Sequence, residues 1–88
     1  METVAAFQEA FGSLGFVVCE NEDLEVGFEK IALFADDDVP QHAARQLSNG
    51  RWTSKLGELE DIEHPLHALE GAEYGKVVLL LSRRIREP

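Results

Sequence analysis

Apolar residues recur at two different spacings along this chain, and the changes of period divide it into elements. Val4, Phe7, Phe11 and Leu14 fall at helical spacing, with Thr3 placed to cap the segment and Gly12 and Gly15 to end it. An amphipathic helix over residues 3–13 follows. Phe16-Val17-Val18-Cys19 reads as a short buried strand, and the acidic stretch from Glu20 to Glu25 as a loop, because so many carboxylates cannot share a core. FEKIALFA, from Phe28 to Ala35, is apolar on both faces and belongs near a sheet centre. Asp36-Asp37-Asp38-Val39-Pro40 reads as a turn, with Pro40 pushing Val39 towards extended backbone. YGKVVLLLS, from Tyr74 to Ser82, is a second central strand closed by a basic tail.

Asn49-Gly50 is the strongest local turn signal, and between extended patterns it predicts a tight two-residue hairpin loop. That register sets Ser48 against Arg51, Leu47 against Trp52, Arg45 against Ser54 and Ala43 against Leu56. Leu47, Trp52, Ala43 and Leu56 then make the core face, while His42, Gln46 and Lys55 share the polar one. Ile62, Leu66 and Leu69 suggest a second short helix with Pro65 in its first turn and Gly71 ending it. The expectation is a single α+β domain over residues 1–88. It has a mainly antiparallel sheet of four to five strands, an N-terminal helix and a second short helix.

Length and charge narrow the function. At 88 residues the chain has room for one hydrophobic core. Its one cysteine, Cys19, forms no internal disulfide, which fits a reducing compartment. No basic, apolar leader opens the chain, and its longest apolar run, Val77–Leu81, is too short to cross a bilayer, so a cytoplasmic location is expected. A net charge of −9 disfavours direct binding to nucleic acid or an anionic membrane, both of which need a basic footprint. Acids crowd Glu20–Glu29, Asp36–Asp38 and Glu58–Glu63, and bases sit in Arg45–Lys55 and at Arg83, Arg84 and Arg86. The bland reading is solvated loops; the sharper one is an acidic face that docks on a basic protein.

The stretch FEKIALFADDDVPQHAARQLSNGRWTSKLGELEDIEHPLHALEGAEYGKVV resembles an uncharacterised family of small bacterial proteins. The shared pattern runs KIALYA, THAARQL, GRWTSKLG, DIEH, LEG and YG, and GFVVC is similar to the family's GYEVC. Longer members carry an upstream Asn-Cys pair followed by Trp-Ala, which resembles the nucleophile helix of papain-like cysteine hydrolases. In such enzymes the histidine base opens a strand, as His42 is expected to do here, and a neighbouring polar residue orients it. The upstream cysteine segment is not in this chain, so the resemblance implies a remnant or an interaction module on the same scaffold.

Candidate chemistry gathers between Gln41 and His64. His42 is the candidate base, with Asp61 as a carboxylate partner and Gln46 or Lys55 to orient it or hold an anion. The bland alternative is a histidine satisfying strand-end backbone groups. Cys19 ends an apolar strand ahead of Glu20, Glu22 and Asp23, a setting that disfavours a thiolate. Asp61, Glu63, His64 and His67 are ligand types for zinc, but Pro65 interrupts them and no cysteine pair supports them, so neither metal nor cofactor is expected. Asp61 would instead cap the second helix. Trp52 with Arg51 and Lys55 makes a small aromatic–basic patch, weak beside the chain's acidity, and Trp52 is more naturally core. Ser54 lacks a histidine on its own face.

The expected function is a non-catalytic acidic module that binds a basic protein through Asp36, Asp37, Asp38, Glu60 and Glu63, with Gln46, Trp52, Lys55 and His64 as further contacts. It would act as an inhibitor of a nucleic-acid-handling system. The alternatives are a papain-like fragment using His42 and a homodimer along an exposed sheet edge.

Overall fold

The computed structural model describes residues 3–56, 60–71 and 73–85, without the side chains of Lys55, Leu56 and Glu60. Those three side chains, and Glu58 and Arg86 entirely, therefore lie outside the described residues. Helix α1 (Val4–Gly12) begins as its sequence dictates, with the Thr3 hydroxyl accepting the Ala6 amide at 3.1 Å. Six strands follow: β1 (Val17–Val18), β2 (Phe28–Asp36), β3 (Val39–Gln46), β4 (Trp52–Leu56), β5 (Glu60–His64) and β6 (Lys76–Arg84). They form one sheet in the order β1-β6-β2-β3-β4-β5 with every neighbouring pair antiparallel. The α+β class and N-terminal helix agree with the sequence reading; the strand count is six rather than four to five.

The additional strand is β5, where a helix is expected from the sequence. Ile62 and His64 alternate with Asp61 and Glu63, a period of two, and the segment pairs along the whole of β4 from Trp52↔His64 to Leu56↔Glu60. Asp61 therefore caps no helix. Pro65 is extended (ψ 148°), and only Leu66–Leu69 coils beyond it, as a 3-10 turn. At the opposite sheet edge β1 is two residues long, and Val17 and Val18 are exposed rather than buried; Phe16 alone of that segment enters the core.

The two faces of the sheet are covered differently. On one, the inner face, Ala32, Phe34, Ala44, Trp52 and Leu66 form the buried cluster, with Leu69, Tyr74, Val77 and Leu80 against it. On the other, α1 lays Phe11 beside Phe16 (ring centroids 5.6 Å apart), next to Ile31 and Ala43 of the sheet. No residue of α1 is fully buried.

A loop of acids folds over the inner face and is tied down by a lysine that the strand pattern hides. Lys30 is completely buried, and its ammonium donates to Asn21 O at 3.0 Å and Asp23 O at 2.6 Å while pairing with Glu25 at 2.9 Å. Gln46, on the neighbouring strand, donates Nε2 to Glu22 O at 2.8 Å. Three successive carbonyls of the loop thus end on two buried side chains, which satisfies backbone groups that would otherwise be stranded.

Candidate functional site

The hairpin joining β3 and β4 decides which side chains share a face, and its register is one residue away from the expected one. Gln46 pairs with Trp52 and Arg45 with Thr53, and the Leu47 amide donates to Arg51 O at 2.7 Å. The loop is Ser48-Asn49-Gly50, closed by Gly50 N to Leu47 O at 2.9 Å, with Gly50 at φ +87°. A three-residue loop ending in a left-handed glycine is the next commonest way for such a sequence to turn. The two-residue mirror-image turn forms instead between β2 and β3, where Asp37 (φ 51°) and Asp38 (φ 67°) are both left-handed.

A slip of one residue exchanges the faces of a strand. Gln46, Ala44 and His42 therefore point inward with Trp52 and Ser54, while Ala43 and Arg45 point out. The core face expected through Leu47 and Ala43 is thus overturned, as is the polar face expected for His42 and Gln46. Gln46, Trp52, Ser54 and His64 are all buried, so Gln46, Trp52 and His64 offer no contact surface. Lys55 pairs with Asp61 along the ladder, and its side chain lies outside the described residues, as does that of Glu60.

Ser54 does have a histidine on its own face. Its Oγ lies 2.7 Å from His64 Nε2, and His64 Nδ1 lies 2.8 Å from Pro65 O. A carbonyl only accepts, so Nδ1 carries a proton, and in the neutral imidazole the Ser54 hydroxyl donates to Nε2. Hydroxyl, imidazole and acceptor follow the order of a nucleophile, its base and the group that orients the base. Ser54 is 2% exposed and His64 4%, so an acyl substrate has no approach to either, and the chain of hydrogen bonds acts as a core polar network. Sequence alone hides this pair because it requires β5. The signal that finds it is the alternation of Ile62 and His64 with Asp61 and Glu63.

His42 stands at the rim of the same network. Its ring lies 5.5 Å from Phe34 and 5.3 Å from Tyr74, and its Nε2 is buried without a partner among the described residues. Burial holds the imidazole below its usual value, and the nearby His64 adds to the effect. Asp61, the expected partner of His42, is exposed at the far face, in a shallow groove with Phe11, Ala43, Arg45 and Thr53. The sheet separates the two residues. Cys19, half-buried beyond β1, belongs to the edge remote from His42.

The acids divide into two populations. Near the start of β2 three are engaged, Glu22 with His67 at 2.8 Å, Glu25 with Lys30, and Glu29 with Arg83 Nε at 3.1 Å, while Glu20 and Asp23 make no ion pair among the described residues. At the other end of the sheet Asp36, Asp37 and Asp38 are exposed and make no ion pair among the described residues. Antiparallel pairing brings the start of β5, with Glu60 and Asp61, to that same end. Glu63 is engaged, with Arg51 Nε at 2.7 Å. Among the described residues no group of three or more His, Cys, Asp or Glu is arranged to hold a metal, and no helix is long and apolar enough to cross a membrane.

A model of a domain of unknown function, DUF7689, matches residues 1–82, and the chain belongs to that family. No curated protein and no solved structure matches it.

Proposed function

For this member of the DUF7689 family, we propose a non-catalytic role: an acidic module that docks its hairpin end on a basic protein surface. The observation that carries the reading is the partition of the carboxylates. Glu22, Glu25 and Glu29 at one end each have a histidine, lysine or arginine partner, whereas Asp36, Asp37 and Asp38 stand together on one tight turn and make no ion pair among the described residues. Paired acids contribute little to a distant potential; unpaired ones at a projecting tip steer a cationic partner. The finer reading is a small bacterial, cytoplasmic protein of the GRWTSKLG and DIEH type that occupies the basic groove of a nucleic-acid-handling protein. The papain-like alternative draws no support from the geometry, since His42 and Asp61 lie on opposite faces.

The test is capture from host lysate on the immobilised protein, eluted with salt, beside the Asp36→Asn, Asp37→Asn, Asp38→Asn triple variant. Asn tolerates the left-handed backbone as Asp does, so the fold should keep its melting temperature. A basic protein held by the parent and lost by the variant is the expected result. Equal capture by both, or a partner without a basic surface, overturns the reading.

A further inference from the structure

The two edges of the sheet are finished differently. At one, β6 is covered by β1, by the Cys19 amide donating to Leu80 O at 2.9 Å, and by Glu70, whose carboxylate accepts the Val77 amide at 2.9 Å. At the other, β5 ends the sheet and pairs with nothing beyond β4 among the described residues. An open strand edge is a template for another strand, and proteins ordinarily block it or charge it.

Which amides β5 presents follows from the ladder. The Leu47–Arg51 bond makes Arg45↔Thr53 a hydrogen-bonded pair, so the amides of Trp52 and Ser54 turn to β5 and meet His64 and Ile62. Asp61 and Glu63 are then the residues whose N–H and C=O groups turn outward. Glu63 O does receive the Arg51 Nη2 donor, at 3.5 Å. These same two residues carry exposed carboxylates, on one face and two positions apart. Between them Ile62 is half-buried towards the inner face.

We infer that β5 is a strand-addition site for an extended, basic segment of a partner protein, with Lys or Arg opposite Asp61 and Glu63 and an apolar residue between them. This rests on the reading of the chain as an acidic module and names how one partner segment would be held. Main-chain bonds supply the affinity and the cross-strand charges the specificity. Arg51 already shows the fit: its guanidinium occupies Glu63 through the carboxylate at 2.7 Å and the backbone carbonyl, as an incoming arginine would. A second copy of this chain is disfavoured, because pairing β5 with itself brings Asp61 and Glu63 against their own counterparts.

The experiment is a titration of the labelled full chain with a short peptide alternating Arg and Val, followed by amide spectra and hydrogen exchange, beside the same peptide N-methylated on alternate residues. The expected result is slowed exchange at Asp61 and Glu63, loss of binding on N-methylation, and about tenfold weaker binding for Asp61→Asn. Arg51→Ala, which leaves the Glu63 carboxylate only the long 3.4 Å bond from Asn49 Nδ2, should tighten it. Binding that ignores N-methylation and perturbs Asp36–Asp38 instead overturns strand addition while leaving the acidic module standing. A peptide that does not bind at low salt overturns strand addition, and if the lysate capture fails as well, the acidic module falls with it.

Discussion

The two turns that flank β3 carry opposite sequence signals and reverse expectation. Asn49-Gly50 is the pair most associated with a two-residue hairpin loop, yet it closes a three-residue loop with only Gly50 left-handed. Asp37-Asp38 has no glycine, yet both residues are left-handed and join β2 directly to β3. The difference lies in what each turn must deliver. At the first, a two-residue loop would put Leu47 opposite Trp52 and turn Ala44 and Gln46 outward. The longer loop keeps Ala44 in the apolar cluster and lets Gln46 bind the acidic loop. At the second, Phe34 already faces His42 in register, and Gln41 is absorbed as a bulge so that Asp36 can meet Val39. Turn residues offer a menu, and the burial of the strands chooses from it.

The largest effect that sharpens this comparison comes from Trp52 and Leu47 taken together. Trp52 is 2% exposed and touches the main cluster, so Trp52→Ala should cost about 3–5 kcal/mol in chemical denaturation. Leu47 stands at the mouth of the loop, half-buried, and Leu47→Ala should cost about 1 kcal/mol. Comparable losses at the two positions would restore the two-residue loop and its face assignment.

Next in size is Ser54. Ser54→Ala strands His64 Nε2 in the core, a loss of about 1–3 kcal/mol. Replacing both residues with apolar ones, Ser54→Ala with His64→Leu, should restore much of it, since no unpaired group is then left. A silent Ser54→Ala would mean that the hydroxyl is not what satisfies His64 Nε2.

Much of the architecture can be read from periodicity, because β2 and β6 bury residues that their own apolar runs declare and α1 follows its own helical spacing. The inner face cannot be read that way. Its buried polar members, Lys30, Gln46, Ser54 and His64, depend on partners such as Asp23, Glu22 and one another, which only the assembled loop and sheet bring in. The same holds for the candidate base and its carboxylate. His42 and Asp61 are placed by two strand registers in succession, and an error of one residue in the first moves His42 through the sheet. Exposure of Asp36–Asp38, by contrast, is legible at once, since three adjacent carboxylates cannot be buried.

A smaller effect separates the faces by pH. The folded-state value of His42 lies below the unfolded 6.5, so the unfolded chain binds the proton more readily. Stability from His42 is therefore complete above about pH 6.5 and falls as the pH drops below that value. His42→Phe removes the titrating nitrogen between Phe34 and Tyr74. Melting temperatures of parent and variant should diverge less at pH 5 than the parent itself declines, with the variant's decline the shallower. Identical pH profiles would place His42 in open solvent.

The smallest effect belongs to the Asp37-Asp38 turn itself. Left-handed backbone costs a residue with a Cβ about 1–2 kcal/mol, less for aspartate, whose short side chain tolerates it. Glycine relieves that strain but loses about 0.5–1 kcal/mol of chain entropy on folding. Asp38→Gly should therefore raise stability by about 0.5 kcal/mol or less, and Asp38→Val, β-branched at φ 67°, should lower it by more than that. The sign matters because it separates the two reasons an aspartate sits there. If Asp38→Gly is neutral or stabilising while it weakens capture of the basic partner, the carboxylate serves binding and the backbone merely tolerates it. If the same change destabilises by more than about 1 kcal/mol, the side chain itself supports the turn, and the tip is built for the hairpin rather than for a partner.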